Sequence, residues 1–201
     1  MAKSDVAVRV IGGGAALLAG SAGLAQAQDV AGWYGGVGVG AKAGDFLAFG
    51  NDEYSFDGGP GGSLFAGYNF VSGNLVYGAE LGLNGKAKSD DPDAIYAGSI
   101  SNLIDLKGRL GTVVGNTLFY GSLGYTVGDM EVEFDGESGG DVSGINFGAG
   151  FETSVTDNIF IGGDITKRNL DGGGTLYGGP AENYMDDIDL TTVSIRLGFR
   201  F

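Results

Sequence analysis

The sequence predicts an all-β chain: an eight-stranded antiparallel up-and-down transmembrane β-barrel, preceded by a cleaved signal peptide. Three observations carry this. Apolar and polar residues alternate with a period of two in eight segments. Short and long connections between those segments alternate strictly. The composition couples 42 Gly with 12 Phe and 9 Tyr in 201 residues. Gly at this level opposes helix, because each interior Gly costs a helix about 1 kcal/mol relative to Ala. A disordered Gly-rich chain is poor in apolar and aromatic residues, whereas 43% of this one is hydrophobic. Gly and aromatics in short alternating segments suit a barrel, where backbones approach closely and the sheet curves.

Residues 1–27 read as the export signal. Lys3 and Arg9 make a positive start, Val10 to Leu24 an apolar run of small residues, and Ala25-Gln26-Ala27 an A-x-A site. Cleavage is expected after Ala27, with one residue later as the alternative. The run is too short for a membrane helix, and no other approaches the required length of about 20 residues. Residues 28–201 are then the barrel domain. Losing Lys3, Arg9 and Asp5 makes the formal charge of −14 one unit more negative.

The eight segments are Trp33 to Ala43, Gly62 to Phe70, Leu75 to Gly85, Ile100 to Val113, Thr117 to Phe134, Gly144 to Val155, Ile159 to Leu170 and Asp189 to Phe201. Most match the roughly 9–11 residues with which a tilted strand crosses the hydrocarbon. Val71 to Asn74, Val114 to Asn116 and Thr156 to Asn158 are short and hold Gly, Asn and Asp, the turn formers. Gly44 to Gly61, Lys86 to Ser99, Asp135 to Ser143 and Asp171 to Ile188 are longer. A transmembrane barrel has this asymmetry, with short periplasmic turns and longer outer loops.

The last segment shows the alternation most clearly. Thr191, Val193, Ile195, Leu197, Phe199 and Phe201 share one face, and Thr192, Ser194, Arg196, Gly198 and Arg200 the other. In a small membrane barrel the apolar face meets lipid and the polar face fills the interior. On this reading Ile195→Arg is costly and an inward Thr192→Arg milder. The same inversion puts Leu75, Tyr77, Ala79, Leu81 and Leu83 outward, then Ile100, Ile104, Leu106 and Leu110. It puts Lys42, Glu80, Asp105, Lys107, Arg109, Glu152, Asp164, Arg168, Arg196 and Arg200 inward, four acids and six bases. Isolated ions in a low-dielectric interior are costly, so this near-balance implies paired charges. Asn102 and Lys167 break the outward pattern, Lys167 at the outer rim. Trp33, Phe70, Tyr77, Phe119, Phe199 and Phe201 cluster at segment ends, as an interfacial girdle would. Interior Gly argues against a fully plugged barrel, because Gly fills nothing.

Several chemistries are disfavoured. There is no His and no Cys, which removes Ser-His-Asp and Cys-His catalysis and the commonest metal ligand. The negative charge opposes nucleic-acid binding, which needs clustered Lys and Arg. Gly36 to Ala41 matches G-x-G-x-x-A, but no helix follows it, as a dinucleotide site requires. Asp45, Asp52, Glu53, Asp57, Asp90, Asp91, Asp93, Asp129, Glu131, Glu133, Asp135, Glu137, Asp141, Asp171, Glu182, Asp186, Asp187 and Asp189 gather in or beside the longer connections. They read either as a solvated repulsive surface or as ligands for divalent cations near lipopolysaccharide phosphates. No catalytic, cofactor or metal site is assigned.

The export signal, the WYGGVGVGAKAG opening, the SLFAGYNF strand and the terminal SIRLGFRF together resemble the small outer-membrane β-barrels of proteobacteria. This is the opacity-protein-like and OmpA-type group, in its alphaproteobacterial surface-barrel form. The resemblance implies a Gram-negative outer-membrane protein with a structural or surface-interaction role and a largely plugged interior, and not an enzyme. A small porin-like pore for ions or apolar solutes is the alternative. It implies contacts with lipid and lipopolysaccharide, and with host or envelope proteins through the acidic loops. It also implies that Val193, Ile195, Leu197, Phe199 and Phe201 are presented to the barrel-insertion machinery.

Overall fold

Alternating Gly and β-branched or aromatic residues fold into long strands. The computed structural model describes residues 30–48, 52–88, 97–133, 138–176 and 179–201. Ala25 and Ala27 of the expected cleavage site lie outside the described residues. The strands are β1 (Gly32–Ala48), β2 (Asp52–Ser72), β3 (Leu75–Asn84), β4 (Ala87–Lys88), β5 (Ala97–Val114), β6 (Thr117–Glu133), β7 (Ser138–Ser154), β8 (Ile159–Leu176) and β9 (Gly179–Arg200). β4 only continues β3 past a break at Gly85 and Lys86, pairing Ala87 with Ile100. The eight long strands pair antiparallel with their neighbours in sequence. β9 returns to β1, with Val37 opposite Leu197, and closes the barrel. Closure leaves no open edge through the wall, the condition for a sheet in hydrocarbon.

Three tight connections share one end of the barrel. Ser72 pairs with Leu75 and Val114 with Thr117, which leaves two-residue turns. Gly73 and Gly115 both stand at φ +63° in the first turn position, the glycine position of a type II′ hairpin. In the third turn Val155 N–H donates to Ile159 O at 2.8 Å, and Asn158 Nδ2 donates to Arg200 O at 2.9 Å. This is called the short-turn end, and the opposite one the long-loop end.

At the long-loop end the strands outrun the sequence pattern. Gly44 to Gly61 is read as a loop from sequence, yet Ala43 to Ala48 pairs with Asp52 to Asp57. Asp171 to Ile188 likewise continues as strand on both sides, with Leu176 opposite Gly179. Backbone pairing needs no apolar face, so the ladder persists where alternation stops. Most carboxylates of these extensions, and Asp90, Asp91, Asp93, Asp135 and Glu137, fall where side chains or backbone are outside the described residues.

The outward residues form an exposed apolar belt. It includes Leu64, Leu81, Leu106, Leu123, Ile145, Ile165 and Ile195, with Trp33, Phe70, Tyr77, Phe119, Phe199 and Phe201 exposed at its short-turn edge. Phe70 stacks on Tyr77 with ring centroids 5.4 Å apart. Lys167 pairs with Asp189 at 2.8 Å, half-exposed, two residues beyond Ile165 on the long-loop side.

One facing differs from expectation. Ile100, expected outward, is fully buried, as is Leu103. The register slips between Ser101, opposite Asp129, and Ile104, opposite Val127. Two residues, Asn102 and Leu103, therefore face the single Gly128, which is a bulge. Asn102 takes φ +52°, a conformation that Asn tolerates better than most residues. A bulge resets the alternation: Asn102 stays outward in phase with Ile104, as its parity predicts, while Ile100 before it is turned inward. Exposed Asn102 then donates to Asp129 at 2.7 Å.

Candidate functional site: the charged lumen

Alternation sends every second side chain of each strand into a narrow interior, and there the structure assembles charged groups far apart in sequence. Lys42, Glu80, Asp105, Lys107, Arg109, Glu152, Arg168, Arg196 and Arg200 are buried, and the Asp164 side chain nearly so. Glu80 on β3 is one hub. Arg196 on β9, 116 residues away, donates to it at 2.5 Å, Arg109 at 3.0 Å and the Tyr34 hydroxyl at 3.0 Å. Arg109 turns its other terminal nitrogen to Glu152 at 2.6 Å, and Arg200 approaches Glu152 at 3.4 Å. Asp105 is the second hub. Arg168 grips it with two nitrogens at 2.6 and 2.9 Å, Thr126 donates at 2.7 Å and Asn84 at 2.9 Å.

Asp164 joins the two. It accepts from Tyr120 at 3.0 Å and Thr166 at 2.7 Å, and stands within 3.8 Å of Lys107 and 3.7 Å of Arg196. Between the hubs lies a cavity of about 30 Å³, lined by Glu80, Asp105, Lys107, Asp164, Arg168 and Arg196 among others. That is room for a water molecule and little more. Two-nitrogen guanidinium contacts fix geometry as well as charge, so these pairs tie β3, β5, β7, β8 and β9 together across the lumen.

Aromatic side chains complete the waist, although the apolar–polar alternation alone does not mark them as inward. Tyr34, Phe65, Tyr120 and Phe160 are buried among the charges. Arg109 lies over the Tyr120 ring at 3.8 Å, Arg196 over Phe65 at 3.8 Å and Arg200 over Phe160 at 4.5 Å. Strand parity carries the signal, since Tyr34 shares the inward face of Lys42, and Tyr120 that of Thr126. Interior Gly also acts differently from expectation. Gly198 lies directly under the Phe160 ring and Gly67 under Tyr34, where an added Cβ would collide. Small residues here make room for large ones, so Gly contributes to filling.

The charged waist is bounded by apolar layers. Val30, Val76, Val113, Leu118 and Tyr120 pack together at the short-turn end. Toward the long-loop end Ile100, Leu103, Val142, Leu170, Ile188 and Leu190 are buried. Lys42 stands apart from the ion pairs. Its ammonium bonds the carbonyl oxygens of Gly85 and, at 3.3 Å, Lys86, where β3 breaks from β4. Beside that break is a crevice of about 640 Å³ in the barrel wall, lined by Val37, Leu64, Leu83, Ile104, Gly62 and Gly85 among others. Among the described residues no group of three or more acidic side chains is placed to hold a metal ion.

Comparison with known proteins gives a consistent picture. The family model described as outer membrane protein beta-barrel domain matches residues 14–201. A 22 kDa outer membrane protein of Rhizobium leguminosarum bv. viciae is 31% identical over 163 residues, covering 76% of this chain and 71% of that one. Among solved structures, Neisserial surface protein A aligns with a TM-score of 0.58 at 12% identity, covering 84% of this chain and 96% of its own. Ail, the attachment invasion locus protein of Yersinia pestis, aligns with a TM-score of 0.54 at 16% identity, covering 85% and 99%. The likeness to these two extends to the fold.

Proposed function

The chain belongs to the outer membrane protein β-barrel family, and on that footing we propose that it is a structural and surface-interaction barrel with a closed, non-conducting lumen. The observation that carries this is the waist. Two linked hubs of buried ion pairs and four aromatic rings fill the space that a channel would need. Eight strands leave an interior just wide enough for side chains to fill. The protein resides in the outer membrane, so the exposed apolar belt meets lipid. The short turns face the periplasm and the long, acidic connections face outward. No enzymatic role is assigned. Apart from Lys3, Arg9 and the inward bases, the basic residues are Lys86, Lys88 and Lys167. The outer surface is therefore strongly acidic. It fits cationic groups of host or envelope proteins, or lipopolysaccharide phosphates through divalent ions.

Two further roles belong to this reading. Residues 1–27 direct export and are removed after Ala27. The lipid-facing row Val193, Ile195, Leu197, Phe199 and Phe201 presents the closing strand to the insertion machinery. A second reading, a pore for small apolar solutes, is favoured by the crevice beside Gly62 and Gly85. Planar-bilayer recording of the folded chain separates the two. The closed barrel gives no stable conductance, whereas regular, long-lived steps from the monomer overturn it. Uptake of an apolar solute into vesicles without ionic conductance promotes the second reading.

A further inference from the structure

The apolar base of the lumen is closed by something other than a strand. Val30 precedes β1, yet it is 3% exposed and packs on Val76, Val113, Leu118 and Tyr120 from β3, β5 and β6. Those residues line the lumen at the short-turn end. The chain reaches them through Gly32, which stands at φ +103°, a conformation open to Gly and strained for other residues. Two polar contacts fix the entry. The buried Asn69 Nδ2 donates to Val30 O at 3.1 Å, and Phe201 N–H donates to Trp33 O at 3.0 Å.

We propose that Val30 is a hinged stopper: Gly32 turns Val30 into the short-turn mouth, and Val30 seals the charged waist from water at that end. The chemistry behind the seal explains its place. Tyr120 in the Val30 cluster bonds Asp164 at 3.0 Å and accepts from Arg196 at 2.8 Å. Water entering past Val30 reaches Tyr120 first and then the ion pairs. Those pairs are stronger in a dry, low-dielectric interior than in a wet one. Among the described residues Val30 makes no strand pairing and its carbonyl accepts from Asn69, so the stopper can open without unpairing the barrel. With processing after Ala27, only Gln28 and Asp29 precede Val30, which puts the stopper two residues from the mature N-terminus.

The inference deepens the closed-lumen reading and is tested separately from it. The chain has no cysteine, so an introduced thiol reports alone. Leu118→Cys places it beneath Val30, and Asp157→Cys places a control in the exposed third turn. Each variant, made as the processed chain of residues 28–201, is folded into detergent micelles and treated with a membrane-impermeant maleimide, with retained heat-dependent gel mobility as the check on folding. The stopper predicts slow labelling of Leu118→Cys beside fast labelling of Asp157→Cys. Adding Val30→Asp speeds the former about tenfold, the scale set by losing the burial of one Val side chain. Val30→Ser gives a smaller gain in the same direction and serves if the Asp variant does not fold. The proposal is overturned if Leu118→Cys labels as fast as the control with Val30 in place, or if neither Val30 variant changes its rate. A chain that labels freely at this site and still conducts nothing retires the stopper and leaves the closed waist standing.

Discussion

Ile195 and Arg196 are adjacent on β9 and stand on opposite sides of the barrel wall. Ile195 is 70% exposed on the apolar belt, where its neighbours are lipid chains. Arg196 is buried, donates to both oxygens of Glu80 and to Tyr120, and lies over the Phe65 ring. The outer position asks only for an apolar side chain of any shape. The inner one asks for this side chain, because its partners sit on β2, β3 and β6 and each was placed by a different strand. The two faces of one strand are thus specified differently, by class outside and by pairwise fit inside.

The largest loss is expected at the Glu80 hub. Glu80→Ala leaves Arg109, Arg196 and Tyr34 without their shared acceptor. Breaking a buried pair from one side costs roughly 3–5 kcal/mol, and urea unfolding in lipid vesicles reads that loss. On the outer face Ile195→Arg is expected to cost roughly 2–4 kcal/mol if the site lies near the midplane. Ile195→Leu should change stability by no more than about 0.5 kcal/mol. A large effect of the Leu variant in the same unfolding assay would mean that the outer face is also read by shape.

Packing around the aromatics gives the next effect. Gly198→Ala pushes a methyl group into the Phe160 ring, an overpacking of about 1–3 kcal/mol. Combining it with Phe160→Leu should recover part of that loss. The smallest effect belongs to the rim, where Lys167 and Asp189 pair in partial contact with water. Lys167→Ala is expected to cost less than about 1 kcal/mol, and less again at high salt.

The two faces also differ in how far the sequence reveals them. The outer face is legible because lipid accepts a whole class of residues, so alternation alone identifies Val193 to Phe201 or Leu75 to Leu83. The inner charges are legible as a set for the same reason. Their pairing is not, since Glu80 and Arg196 meet only after six other strands fix the barrel's circumference. Tyr34 and Tyr120 are hidden because aromatic residues populate both faces. Ile100 is misplaced because nothing in the pattern before Asn102 announces a bulge. Thr192→Arg, mild on the alternation alone, is not mild in the structure: Thr192 is buried and accepts from Arg168 at 2.8 Å, so a second guanidinium would enter an occupied site.

A double-mutant cycle on Glu80→Ala and Arg196→Ala, read by urea unfolding of the barrel in vesicles, tests pairwise specification of the lumen most directly. Residues that share a network couple by about 0.5–3 kcal/mol, and coupling near the top of that range is expected for this pair. A parallel cycle on Val193→Ala and Leu197→Ala, both outward on the same strand, should be additive within about 0.5 kcal/mol. Additive losses for Glu80 and Arg196 would contradict the claim that these side chains hold the lumen closed as partners.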